Sequence, residues 1–221
     1  MNIFDIIGPI MVGPSSSHTA GALQIGFIAR LALKQTPAKA VIKFHGSFAQ
    51  TYRGHGSDKA VVGGLLGYRT DNARIRTSLE DAADAGLSYS FLPVDIPDAH
   101  PNTIVIEAST AAGDSTTVVG ISIGGGNVII KSLDGIEIEY TGSLDMLVVV
   151  QADVPGVINN VSGLLASKGI NIVNMRVFQS REEPGKALTI IETQDTLSDD
   201  LAISAQSLDN IITSVYLPKI G

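Results

Sequence analysis

The chain has no cysteine and no tryptophan, and aromatic residues fill only 5% of its 221 positions. Without cysteine it can form no disulfide, no thiolate zinc site and no iron–sulfur centre ligated by its own side chains. Basic residues are also scarce, with 15 Lys and Arg against 22 Asp and Glu, a net charge of −7. No cationic stripe exists to neutralise a phosphate backbone, which excludes a nucleic-acid-binding protein. The acidic residues are scattered rather than gathered in a tail, so the charge serves solubility. No apolar run approaches the roughly 20 residues of a membrane span, and no signal-peptide pattern is visible, so the expected location is the cytoplasm. Met1 leads directly into N-I-F-D-I-I-G-P-I, which reads as folded sequence.

Hydrophobic residues make up 44% of the chain and charged ones 17%, enough to build a core in each of two domains. The most telling segment is Val12 to Ala20, V-G-P-S-S-S-H-T-A. Its hydroxyls and imidazole precede an apolar pattern of helical period: Ala20, Leu23, Phe27, Ile28 and Leu31. Ser16 or Ser17 is the expected N-cap. Free N–H groups and the positive dipole end at such a helix start make a seat for a small anion, built from Ser15, Ser16, Ser17, His18 and Thr19. The plainer alternative is ordinary capping, which one of the three serines can provide while leaving two hydroxyls over.

Further along, Ala40, Ile42 and Phe44 alternate with Val41, Lys43 and His45 as a half-buried strand, with His45 assigned to its polar face. Gly54-His55-Gly56-Ser57-Asp58 forms a second polar loop, running into a helix over Lys59 to Leu66. There Asp58 is placed to orient His55, unless Ser57 or Asp58 simply caps a glycine turn. Ser78 with Asp81 resembles a capping box. His100 before Pro101-Asn102 reads as a turn, and Gly124-Gly125-Gly126 as a tight β turn, because its spacing does not match a dinucleotide-binding loop. Short β-rich runs from Thr103 to Glu139 make the first part α+β, ending in an antiparallel meander. Four histidines without an i, i+4 pair argue against a mononuclear metal site, and none is assigned.

Ser143 to Asp145 marks a boundary, giving domains 1–143 and 144–221. Beyond it the pattern predicts a strand over Met146–Gln151, a helix over Gly156–Ser167 and a strand over Ile172–Gln179. After the turn Glu183-Pro184-Gly185 come a strand over Ala187–Thr193, a helix over Asp199–Leu208 and a strand over Ile211–Leu217. This β-α-β-β-α-β order is the ferredoxin-like plan.

The second half resembles the ACT domain, a small-molecule sensing module of amino-acid metabolism, through Asp153-Val154-Pro155-Gly156-Val157 and Gly169-Ile170-Asn171-Ile172. The resemblance implies an effector site at Asp153, Pro155, Gly156, Val157 and Asn171, although Pro155 and Gly156 can equally serve to shape a turn. The whole chain resembles the β subunit of the iron–sulfur-dependent L-serine dehydratases. That resemblance rests on Gly13–Gly21, on G-H-G-S-D-K-A at Gly54–Ala60, on H-P-N-T at His100–Thr103 and on S-I-G-G-G at Ser122–Gly126. It implies an α+β chain, an N-terminal α/β serine-dehydratase β-chain domain followed by a ferredoxin-like ACT domain. The implied activity is a lyase converting L-serine to pyruvate and ammonia. Its [4Fe–4S] cluster, with one open iron acting as Lewis acid, belongs to a partner α subunit, and this chain ligates none. The resemblance gives catalytic roles to His18, Ser16, Ser17, Thr19 and His55 and substrate contacts to Ser15, Ser57 and Asp58. L-serine is implied as substrate and possible effector, with self-association through the ACT part. A non-catalytic serine-sensing regulator built from the same two domains is the alternative.

Overall fold

The computed structural model describes residues 10–180 and 183–220. The amino-terminal run expected to be folded lies, through residue 9, outside the described residues. The chain divides into two compact units, Met1–Thr141 and Gly142–Gly221, and mixes helices with sheets in both.

In the first unit α1 (Gly21–Leu33) leads to β1 (Lys39–His45), the short α2 (Gly46–Thr51), α3 (Ser57–Leu65) and α4 (Ser78–Asp84). Then come β2 (Ser88–Val94), β3 (Thr103–Ser109), β4 (Ser115–Gly124), β5 (Asn127–Leu133) and β6 (Ile136–Tyr140). The six strands form one sheet in the order β2-β1-β3-β4-β5-β6. β1 and β2 are parallel, as a connection long enough to hold three helices permits, and β3 to β6 form the antiparallel meander. Gly124 pairs with Asn127 across Gly125 and Gly126, whose positive φ values (63° and 84°) are those of a two-residue hairpin.

α1 lies on the sheet and α3 lies on α1. Both contacts need glycine. A Cβ on Gly64 would stand 2.1 Å from the Leu23 carbonyl oxygen, and one on Gly26 2.3 Å from that of Val61, so the two helix backbones touch. Sandwiched in this way α1 is buried nearly all round, with Ile25, Ile28 and Ala29 fully covered, rather than amphipathic as its period suggested. Two other expectations are corrected. His45 ends β1 buried, its Nδ1 accepting the Ile96 N–H, rather than facing solvent at mid-strand. Ser78 and Asp81 make no capping box: a 3-10 turn, Ala73–Thr77, runs into α4, and the Ser78 hydroxyl donates to the Lys59 carbonyl. Asp81 instead accepts from Tyr68 and Arg74.

The second unit comprises β7 (Asp145–Ala152), α5 (Val157–Ser167), β8 (Asn174–Gln179), β9 (Lys186–Thr193), α6 (Asp199–Gln206) and β10 (Ile211–Leu217). All neighbours are antiparallel in the order β10-β7-β9-β8, the ferredoxin-like arrangement. Its core joins Leu147, Val149 and Ile191 to Val157, Val161 and Leu165 of α5 and to Leu201, Ala202 and Ala205 of α6. Buried Asp145 ties the ends of the chain segment together, accepting from Tyr216 Oη and from the Leu197 and Lys219 N–H groups.

Candidate functional site

The run before α1 does not enter the helix as an ordinary first turn. Ser16–Ala20 forms a π-helical turn, in which the Ala20 N–H reaches back five residues to the Ser15 carbonyl. Such a turn holds one residue more than an α-helical turn would and recurs at functional sites. The cap is Ser15, one residue before the expected pair: its backbone is extended and its Oγ accepts the His18 N–H at 3.1 Å. Ser16 and Ser17 lie inside the turn, and the Ser17 hydroxyl stands 3.0 Å from His18 Nδ1. His18 Nε2 lies 2.9 Å from the hydroxyl of Ser47 in α2, and Ser15 Oγ lies 3.3 Å from Ser17 Oγ. The imidazole is therefore the centre of a chain of hydroxyls, Ser15–Ser17–His18–Ser47, with both ring nitrogens engaged.

The His18 ring packs edge-on to that of His55, centroids 4.9 Å apart, and tilted against Phe48 at 4.8 Å. Its pKa is lowered from 6.5, first by burial, which disfavours the charged form, and second by the nearby His55. The two loops are joined directly: buried Thr19 donates from Oγ1 to the His55 carbonyl at 2.9 Å. The meander reaches the same point, because buried Ser122 donates to the Ser17 carbonyl at 2.8 Å and its own N–H donates to Asn102. Next to Asn102, the Pro101 carbonyl accepts the Ser47 N–H at 2.8 Å. Thus all four polar motifs of the first unit converge on His18, although they are spread from Gly13 to Gly126.

Two expected contacts in the second loop are absent. Asp58 does not touch His55. Its Oδ1 accepts the Lys59 N–H, and burial raises its pKa against the opposing pull of Lys59 and Arg53. Ser57 caps nothing: left-handed Gly56 precedes α3 without a side-chain bond, and the fully buried Ser57 hydroxyl has no partner. His55 Nδ1 is likewise buried and without a partner.

Beside this loop opens a cavity of about 490 Å³, lined by Thr19 and His55 together with Arg53, Lys59 and Arg76. Neither the cationic wall nor Ser47 was anticipated. Ser47 lies in no recognisable motif, and isolated Arg and Lys residues read in sequence as solvated surface.

In the second unit Asp153, Pro155 and Gly156 form an exposed loop before α5, where Gln179 donates to Asp153 Oδ2 and Gly156 is left-handed. Val157 is a core residue, 1% exposed, so its side chain is closed to a ligand. Asn171 follows the far end of α5, donating its N–H to Asp195. Eleven helical residues at about 1.5 Å each separate it from the Gly156 loop, so one chain does not bring Asn171 beside that loop as expected.

Among the described residues no group of three His, Asp or Glu could hold a metal ion, and no helix is long and apolar enough to cross a membrane. A family model for the serine dehydratase beta chain matches residues 2–90, and one for the ACT domain matches residues 146–207. A probable L-serine dehydratase beta chain of Bacillus subtilis is 42% identical over 212 residues, 96% of this chain and 95% of that protein. The L-serine dehydratase beta chain of Peptoniphilus asaccharolyticus is 38% identical over 97% of this chain and 96% of its own length. L-serine dehydratase 2 of Escherichia coli is 38% identical over 81 residues, 34% of this chain but only 17% of that longer protein.

Proposed function

This chain belongs to the serine dehydratase beta-chain family and carries an ACT domain, and on that footing we propose that it is half of a two-chain L-serine ammonia-lyase. The reaction removes the Cα proton and the Cβ hydroxyl of L-serine. The resulting aminoacrylate tautomerises to an imine and hydrolyses to pyruvate and ammonia, so the water lost is regained. The observation that carries the reading is the convergence of four dispersed polar motifs on one imidazole held largely neutral. A neutral imidazole can accept a proton, and hydroxyls on both its nitrogens can relay that proton onward. His18 is assigned the proton-handling role, Ser17 and Ser47 the relay. Thr19 and Ser122 position the loop, and His55 shares the pocket wall.

The [4Fe–4S] cluster of this enzyme class finds no ligands here: the chain has no cysteine, and its described residues hold no metal-binding group. We assign the cluster to an α chain that completes the pocket, and derive no step through it. The Escherichia coli relative supports that assignment, since the matching segment is a small part of a much longer dehydratase. The ACT unit is assigned effector sensing at the Asp153–Gly156 loop and self-association.

The test is anaerobic reconstitution with the cognate α chain. Wild-type complex should release pyruvate from L-serine. His18→Ala should lower kcat by several orders of magnitude while the complex still assembles. A pair that binds, carries an intact cluster and stays inactive would instead make this chain a non-catalytic serine sensor.

A further inference from the structure

The sequence pattern offered the serine hydroxyls as the seat of the substrate carboxylate, but the fold occupies most of them. Ser15 Oγ accepts a backbone N–H and shares a hydrogen bond with Ser17 Oγ, Ser17 Oγ is hydrogen-bonded to the imidazole, and Thr19 Oγ1 donates to the His55 carbonyl. A carboxylate needs donors that are still available, and the adjacent cavity supplies them. Arg53, Lys59 and Arg76 line it, and none of the three has an ion-pair partner among the described residues. Among the described residues no Asp or Glu lines the cavity, in a chain whose acidic residues outnumber basic ones 22 to 15. His55 stands in the same wall with a buried Nδ1 that no atom of the described residues satisfies. Asp58 draws on Arg53 and Lys59 only from beyond ion-pair distance; cations gathered around a concavity focus a positive potential into it, and guanidinium groups match a carboxylate two bonds at a time.

We propose that Arg53, Lys59 and Arg76 form the carboxylate seat of the amino-acid substrate, with the reacting carbons directed toward His18. The choice of ligand rests on the dehydratase reading above; the anion seat itself rests on the cavity. At about 490 Å³ the space exceeds what a three-carbon acid fills, as a half-site closed by a second chain requires. Arg53 and Arg76 are then the specificity-determining residues, rejecting any analogue without the carboxylate.

Two measurements test this. In the intact chain, L-serine should shift the backbone amide NMR signals of Gly54, His55 and Gly56 saturably, and serinamide should not. The Arg53→Gln/Arg76→Gln variant should bind L-serine at least tenfold more weakly at unchanged melting temperature. In the reconstituted pair the same variant should raise KM roughly 10- to 100-fold with kcat changed far less, and Arg→Lys at both positions should recover part of it. Serinamide binding as well as serine, phosphate binding more tightly than serine, or a variant that moves neither affinity nor KM would each overturn the assignment. Inactivity of the wild-type pair would count against the dehydratase reading alone, because the binding measurement needs no turnover.

Discussion

At the scale of single residues, the protonation of His18 sets what the site can do. Burial and His55 both lower its pKa below 6.5, so the folded chain takes up that proton at lower pH than the unfolded chain. Two consequences have worked-out signs. The unfolded state binds more protons as pH falls through 6.5, so His18 costs stability on the acid side and nothing above it. If His18 acts as base, the acid limb of kcat/KM should lie below 6.5, and His55→Gln should move it upward while burial, the larger cause, keeps it depressed. A pH–rate profile of both proteins checks this, and an unmoved limb would remove His55 as a contributor. His18, Thr19 and His55 were legible in the sequence because polar residues beside glycines interrupt an apolar pattern. Ser47, Arg53, Lys59 and Arg76 were not, since only the folded chain brings α2, the second loop and the 3-10 turn to one place.

At the scale of elements, the site is hung from one helix crossing. α1 carries the His18 turn and α3 follows the His55 loop, and their backbones meet at Gly26 and Gly64. Gly64→Ala puts a Cβ 2.1 Å from a carbonyl oxygen that cannot rotate away, so the helices must separate. The expected cost is about 1–3 kcal/mol, seen as a fall of several degrees in melting temperature. Activity should fall further than stability alone predicts, because the Thr19–His55 bond spans the displaced helices. β1 is readable from its alternation, α5 from its helical period and β7 from its unbroken apolar run Met146–Val150. β2 alternates exposed and half-buried positions over Ser88–Leu92, but Pro93 interrupts the run and disguises the strand, which lies at the sheet edge where a missing N–H is tolerated. The short α2 has too few turns to show a period.

At the scale of the whole molecule, the ACT unit was the most legible part, because each strand and helix is short, separately bounded and in the ferredoxin-like order. Its edge strand β8 leaves Val177 and Phe178 about half exposed (48% and 46%), with Val173 just before it at 49%. An unpaired edge with apolar side chains invites a second strand. Val177→Lys with Phe178→Glu should shift the chain toward monomer by sedimentation, without loss of circular dichroism. An unchanged mass would place self-association on another surface. Asn171, at the opposite end of α5 from the Gly156 loop, can join that loop in an effector site only across two chains.

The π-helical turn at Ser16–Ala20 carries a consequence for the direction in which its imidazole points. It holds one residue that the helix does not need, so a chain shorter by a single codon there would still make α1 and bury Ile25, Ile28 and Ala29. In that chain His18 would swing by about 100° around the helix axis, away from Ser47 and His55. One residue in that turn thus decides whether the imidazole is aimed at Ser47 and His55 or away from them, while the helix that follows is built either way.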